Sequence, residues 1–210
     1  MPTQWTDDPL EPYRQAHAQG GSAFGVTLWN TEESQRKRFR VLREMVYLQG
    51  KRILDAGCSR GDLAAYLLEQ GPMYGRYTGV DGLAGVIEFA KSRGLPDSEF
   101  VAADLLEQPE ALRTGDPQVV FLSGTLNTMD LPTALQLLES CWEAASETLV
   151  FNFLSDLVGP KAPAQDYPAS RLPTVKLLEW AAKRAEGNVM LRQDYFRQGH
   201  DATVVMGKGL

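Results

Sequence analysis

Segments typical of strands and of helices alternate through most of the chain, and this alternation restricts the fold more than any other feature. Short apolar runs predict seven strands, at 52–55, 77–81, 100–103, 119–122, 148–152, 188–191 and 202–206. Helical patterns lie between most of them, at 62–70, 83–92, about 105–113, 132–145 and 175–185. A further helix is predicted at 31–48, where Thr31 or Asn30 can cap the first turn.

This order of elements predicts the layers of the fold. Parallel neighbouring strands need a crossover connection, and the intervening helices supply it. We therefore expect an α/β fold, a Rossmann-like doubly wound sandwich with a seven-stranded, mostly parallel sheet and an additional N-terminal helix. Only residues 192–201 separate the last two strands. They should form a hairpin, which makes the last strand antiparallel.

Length and composition suggest one domain with two irregular segments. A chain of 210 residues can bury a sizeable core without disulfides or metals, so we expect a single domain over 31–210. Residues 1–30, with several prolines and glycines, are expected to form an arm or lid, with a frayed terminus as the alternative. Residues 155–173 contain four prolines and are a second candidate lid.

Charge and cysteine content narrow the classes of function. The chain has 27 acidic and 21 basic residues, a net charge of −6, which argues against binding to nucleic acid or to an anionic membrane. Cys58 and Cys141 do not have the spacing of metal ligands, so no metal site is predicted. The sequence has no signal-peptide pattern and no run of about 18 apolar residues. We therefore expect a cytoplasmic protein; its oligomeric state is left open.

A glycine loop joins the first predicted strand to the following helix. In open parallel sheets, ligands bind at the carboxyl ends of the strands, and glycines let the backbone approach them. The spacing Asp55-x-Gly57-x-Ser59-x-Gly61 differs from the G-x-G-x-x-G of dinucleotide sites. The carboxylates of Asp55 and Asp62 would also repel a pyrophosphate. The loop thus favours a nucleoside with a positive charge, and a turn without any ligand is the alternative.

Two more acidic residues follow the next two strands. Asp81, which precedes Gly82, can accept hydrogen bonds from both hydroxyls of a ribose. Asp104 can accept from the amine of an adenine while the backbone N–H of Leu105 donates to the ring. Each carboxylate could instead cap a helix. Because acids stand at three successive strand ends, contact with a ligand is the better interpretation.

These residues together resemble the class I S-adenosylmethionine-dependent methyltransferases over about residues 51–152. The loop at 53–61 resembles the nucleotide loop of that family, with Ser59 in place of the middle glycine, and segment 122–127 lies where the family lines its active site. The resemblance implies that the seventh strand lies between the fifth and the sixth, and that S-adenosylmethionine is the cofactor, with S-adenosylhomocysteine as product. It places at the cofactor Asp55, Gly57, Cys58, Gly61, Asp81, Gly82, Asp104, Leu105 and Ser123.

The helix at 31–48 resembles, more weakly, one that some small-molecule members of the family place over the cofactor. Arg38 would there pair with the methionine carboxylate. A helix face exposed to solvent is the alternative.

The implied reaction is in-line transfer of a methyl group to an oxygen, nitrogen or carbon atom. A base is needed when the acceptor is a hydroxyl or a protonated amine. The two histidines, His200 in the last hairpin and His17 in the arm, are the candidates. Tyr13, Trp29 and Tyr195 are candidates to line the substrate pocket.

The sequence leaves open the class of acceptor and two alternative functions. The acidic balance and the absence of an Asn/Asp-Pro-Pro-Tyr stretch favour a small-molecule acceptor, with RNA and protein acceptors left open. One alternative is an NAD(P)-dependent oxidoreductase of similar fold. Tyr47 and Lys51 have its Tyr-x-x-x-Lys spacing but precede the glycine loop. The other alternative is a non-catalytic module that binds S-adenosylmethionine.

Overall fold

A seven-stranded sheet forms the centre of the protein, in a computed structural model that describes residues 8–21, 23–71 and 74–209. The strands are β1 (Lys51–Ala56), β2 (Tyr74–Asp81), β3 (Ser98–Ala102), β4 (Val119–Leu122), β5 (Thr148–Leu154), β6 (Val189–Arg192) and β7 (Asp201–Gly207). Their order is β3-β2-β1-β4-β5-β7-β6. The seventh strand therefore lies between the fifth and the sixth, and the predicted topology is confirmed.

The direction of the strands decides where their ends meet. β1 pairs in parallel with β2 and β4, and β3 and β5 continue the parallel sheet on the two sides. β7 runs antiparallel to both β5 and β6. Since β6 is reversed relative to β7, it runs parallel to the first five strands. The β6–β7 connection consequently reaches the same edge of the sheet as the carboxyl ends of β1 to β5.

Helices cover both faces of the sheet, as a doubly wound fold requires. They are α1 (Glu11–Gly20), α2 (Glu32–Met45), α3 (Asp62–Glu69), α4 (Ala84–Ser92), α5 (Leu131–Ala144) and α6 (Thr174–Arg184). Side chains alternate across β1, so that Ile53 packs with α2, α3 and α4 while Leu54 packs with α5 and α6. α2 begins as predicted, because the Thr31 hydroxyl accepts from the backbone N–H of Ser34 at 3.1 Å. No helix within the described ranges is long and apolar enough to cross a membrane.

The prediction of a helix at about 105–113 was wrong. The structure has only a short 3-10 helix there, Pro109–Arg113. Proline lacks the N–H that a helix interior requires, and its ring clashes with the carbonyl four residues earlier. A helix starting at Leu105 therefore cannot continue through Pro109, and the regular turn begins at the proline.

The N-terminal arm differs from its prediction as well. Its sequence indicated no helix, yet α1 occupies Glu11–Gly20 and a 3-10 helix follows at Phe24–Thr27. Leu10 and Tyr13 pack against Val26 and against Leu83 and Val86 at the start of α4. This apolar contact with the domain holds the arm at the carboxyl edge of the sheet. Residues 1–7 and 22 of the predicted arm lie outside the described residues.

Substitution of Gly61 tests how tightly the turn into α3 is packed. Gly61 has a φ of +70°, and a Cβ there would lie 2.8 Å from the ring of Phe100. Gly94 has a φ of +59° with open space around a Cβ. We expect Gly61→Ala to lower the free energy of unfolding by about 2–4 kcal/mol, from backbone strain and ring contact together. Gly94→Ala should cost only about 1–2 kcal/mol, from strain alone. Urea unfolding followed by circular dichroism measures both; equal losses would contradict the packing argument.

Candidate functional site

A cavity of about 430 Å³ opens at the carboxyl edge of the sheet. This volume is in the range of small-molecule sites. Residues that follow β1, β2, β3 and β4 form its floor, and the arm, residues 163–169 and the β6–β7 connection form its walls. The predicted cofactor residues that line it are Asp55, Gly57, Cys58, Asp81, Gly82, Asp104, Leu105, Ser123 and Arg38. The structure thus brings together nine of the ten predicted residues, and Gly61 is the exception.

The two glycines of the loop have different roles. Gly57 has a φ of +82°, and a Cβ there would lie 2.4 Å from Oγ1 of Thr125 in the segment after β4. Glycine is therefore needed where the loop passes this segment, beside the cavity. Gly61 instead makes room for the Phe100 ring and is not part of the cavity wall. Its contact with the cofactor stays a prediction, and its lack of a side chain serves the packing of α3 against β3.

Asp81 and Asp104 are held in place by backbone N–H groups. The carboxylate of Asp81 accepts from Ser59 and from Leu83, both at 2.9 Å. Asp104 accepts from the backbone of Leu106 at 3.0 Å. Burial raises the pKa of Asp81, and the two backbone hydrogen bonds oppose this rise. Neither residue caps an α-helix, since the N-cap of α4 is Leu83 and only a turn follows Asp104.

Asp55 is the most deeply buried acid of the site. It is 4% exposed and accepts a hydrogen bond from the Tyr77 hydroxyl. Burial raises the pKa of its carboxyl to about 7, and the negative charges of Asp81 and Asp62 contribute to the rise. A positively charged group beside this carboxylate would offset both the cost of its burial and its repulsion by the other two acids, and so would lower its pKa.

Two asparagines shape the wall beyond β4: Asn127, in the predicted segment 122–127, and Asn152, which the sequence analysis missed. The amide of Asn152, fully buried in β5, accepts from the Gly124 N–H at 2.9 Å and donates to the Ser123 hydroxyl at 3.0 Å. Asn127 accepts from the backbone N–H of Leu154 at 3.1 Å and lines the cavity. A polar residue inside the apolar run of β5 was the available signal for Asn152.

Arg38 lies in the cavity wall, so a solvent-exposed position is ruled out. It is 4% exposed, and its guanidinium lies between the rings of Trp29 and Phe196, 4.1 and 4.4 Å from their centres. Nε donates to the buried carboxylate of Asp201 at 2.8 Å. Of the predicted pocket residues, Tyr13 and Trp29 line the cavity. Tyr195 does not; its hydroxyl donates to Asp201 instead.

The two histidines occupy different places. His200 lines the cavity, and its Nδ1 lies 3.1 Å from the carbonyl oxygen of Arg197. A carbonyl only accepts, so in the neutral ring Nδ1 holds the hydrogen and Nε2 keeps a free lone pair. His17 is not part of the cavity wall: its Nδ1 lies 2.9 Å from the Gly21 carbonyl and its ring packs on Gly85.

Residues 53–147 match a family model described as a methyltransferase domain. No curated protein sequence is similar enough to the chain to count as a match. The matched residues begin in β1 and end just before β5, and so include the glycine loop, Asp81, Asp104 and the segment after β4.

Solved structures, methyltransferases among them, share the fold over most of the chain. One is magnesium protoporphyrin IX methyltransferase (ChlM) from Synechocystis PCC 6803 with bound SAH, 14% identical, with a TM-score of 0.64 and coverage of 94% of this chain and 93% of that chain. The DhpI-SAM-HEP complex is 15% identical, with a TM-score of 0.65 and coverage of 95% and 98%. The small RNA methyltransferase HEN1 is 14% identical, with a TM-score of 0.65, and the match covers 83% of this chain and 25% of that one.

The topology and the solved structures define the fold, and the family model covers residues 53–147 of the 210. The chain has the class I methyltransferase fold, and these residues match a methyltransferase domain.

The raised pKa of Asp55 makes a testable contribution to stability. In the folded state the Asp55 carboxyl keeps its proton up to about pH 7. In the unfolded chain the same carboxyl loses its proton near pH 4. Folding is therefore opposed increasingly as the pH rises between these values. Relative to Asp55→Asn, the wild-type free energy of unfolding should fall by on the order of 2 kcal/mol from pH 5.5 to pH 8. Urea unfolding at several pH values measures the difference, and parallel pH profiles for the two proteins would contradict it.

Proposed function

We propose that the protein transfers a methyl group from S-adenosylmethionine to a small-molecule acceptor inside the cavity. The convergence of Asp55, Asp81 and Asp104 with the glycine loop on one cavity is the observation that supports this function best. The acceptor is expected to lie beyond the segment after β4, between Asn127, Trp29 and His200.

The charges of the cavity fit a cationic nucleoside. Among the described lining residues, the acids are Asp55, Asp81, Asp104 and Asp166, and Arg38 is the permanently charged base. Arg38 already pairs with Asp201, so the positive charge of Arg38 is largely balanced. The remaining negative charge favours a sulfonium or an ammonium group and disfavours the pyrophosphate of NAD(P).

Each part of the adenosine has a matching group. Asp81 uses lone pairs that its backbone partners leave free to accept from the ribose hydroxyls. Asp104 and the N–H of Leu105 hold the edge of the adenine. Leu83 and Val86 supply apolar surface against the ring.

The two irregular segments are proposed to act as lids that keep the site dry. Leu10 in the arm lies over Gly82, where a Cβ would be only 2.5 Å from its Cδ1. On the other side, Arg171 donates to the carbonyl of Pro163 at 2.7 Å and to that of Ser155 at 2.8 Å. Residues 163–169 are thereby held against the end of β5. Such covering excludes water from the reaction and restricts the size of the acceptor.

The chain contributes mainly alignment to the chemistry. When bound, S-adenosylmethionine supplies a methyl group on a positively charged sulfur, and it leaves as S-adenosylhomocysteine once the bond between the sulfur and the methyl carbon has broken. Holding the acceptor atom in line is worth as much as ~7–11 kcal/mol in well-oriented systems. Where the acceptor is a hydroxyl or an ammonium group, Nε2 of His200 takes its proton.

Removal of the Asp81 carboxylate tests the cofactor site. We expect Asp81→Ala to weaken S-adenosylhomocysteine binding by ~1.5–3 kcal/mol, as for hydrogen bonds to a charged group. Asp130→Ala is the matched control, because Asp130 also accepts from a backbone N–H, at 2.9 Å, but lies outside the cavity wall. Calorimetry measures both dissociation constants. Unchanged S-adenosylhomocysteine binding by Asp81→Ala would show that Asp81 does not contact the cofactor. A wild-type melting temperature that rises with NAD(H) and not with S-adenosylhomocysteine would favour an oxidoreductase.

Replacement of each histidine by alanine tests which of them acts as the base. We expect His200→Ala to keep S-adenosylhomocysteine affinity and to lower methyl transfer at least about tenfold with a hydroxyl or amine acceptor. His17→Ala should leave transfer unchanged. Transfer of a labelled methyl group to a panel of small molecules and to RNA measures turnover and acceptor class. The reverse pattern would assign the base to His17, transfer to RNA alone would contradict the small-molecule acceptor, and binding without any transfer would indicate a non-catalytic module.

A further inference from the structure

Gln35 on α2 is a buried amide that faces the cavity without a partner. Its side chain is 7% exposed and lines the cavity. Neither its amide oxygen nor its amide nitrogen makes a hydrogen bond with the rest of the described chain, although the backbone N–H of Gln35 donates to Thr31 within the helix. The side chain is therefore more than nine-tenths buried, yet it leaves the hydrogen-bonding groups of its amide to the cavity. A polar group presented to a cavity in this way points to a ligand.

Arg38, one helical turn further along α2, has hydrogen-bonding capacity to spare. An arginine has five N–H donors. Nε and one terminal nitrogen donate to Asp201, and the other terminal nitrogen donates to the carbonyl of Ser34 at 2.8 Å. These three bonds leave two N–H groups unused. Residues three apart lie on the same side of a helix, and both side chains line the cavity.

The two side chains together fit an α-amino acid group. A carboxylate accepts from Arg38 and from the Gln35 nitrogen, and an ammonium donates to the Gln35 oxygen. The carboxylates of Asp55, Asp81 and Asp104 repel an anionic group, so a ligand carboxylate is best placed on the α2 side of the cavity. We propose that Gln35 binds the amino-acid group of the cofactor beside Arg38. The inference rests on the proposed function, since it takes S-adenosylmethionine as the ligand.

A comparison of two ligands isolates this contact. S-adenosylhomocysteine has the amino-acid group, and 5′-methylthioadenosine has the same adenosine and sulfur without it. In Gln35→Met, which keeps the length of the side chain and removes the amide, we expect the dissociation constant of S-adenosylhomocysteine to rise about tenfold or more. That of 5′-methylthioadenosine should change by less than about twofold. Gln136→Met is the matched control, because Gln136 is exposed on α5 and lies outside the cavity wall.

The stability of the ligand-free protein separates binding from a structural role. Removal of an unpaired buried amide should leave the melting temperature of Gln35→Met equal to or above that of the wild type. A lower melting temperature with both ligands weakened alike would show a structural role and overturn the inference. Unchanged affinity of Gln35→Met for S-adenosylhomocysteine would overturn it as well, and a rise in the acceptor KM alone would assign the amide to the acceptor. A wild type that binds neither ligand would overturn the proposed function itself.

Discussion

The carboxylate of Asp81 is the contact on which the geometry of the site depends. It joins the glycine loop to the end of β2 by accepting from the N–H groups of Ser59 and Leu83. The carbonyl of Val80 adds two bonds, from Gly57 at 2.8 Å and from Cys58 at 3.0 Å. Four backbone N–H groups near the carboxyl edge are thus paired within the protein. The loop is held in one conformation before any ligand binds, which reduces the ordering cost of binding.

A buried ion pair closes the opposite side of the cavity. Arg38 and Asp201 are 4% and 0% exposed and lie 163 residues apart in sequence. The attraction of such a pair must offset the cost of removing two charges from water, so its stabilising effect is small. Its clearer consequence is positional, because it fixes α2 against the start of β7. The helix face that includes Gln35 is therefore set by the last strand of the sheet.

The sheet and its acidic edge could be predicted from sequence because their signals are local. Apolar runs mark the strands, and Asp55, Asp81 and Asp104 stand at or just after strand ends, where parallel topology brings them together. The pairing of Arg38 with Asp201 gave no such signal, since it joins segments that are distant in sequence. α1 was missed because its apolar contacts lie on Leu10 and Tyr13 near its start, which is too short a pattern to indicate a helix.

The distribution of charge divides the cavity into two unequal parts. The part over β1, β2 and β3 holds three carboxylates and suits the cationic and hydroxyl-bearing portions of a nucleoside. The part beside α2 and the β6–β7 connection has Gln35, Arg38 and His200, whose groups are amide, paired guanidinium and imidazole. These carboxylates would hold the positive charge of a sulfonium, and that charge would be lost when its methyl group is transferred. Under the proposed function, the carboxylates would favour binding of the charged cofactor over its neutral product, and alignment, together with His200 where a proton must be removed, would supply the rate.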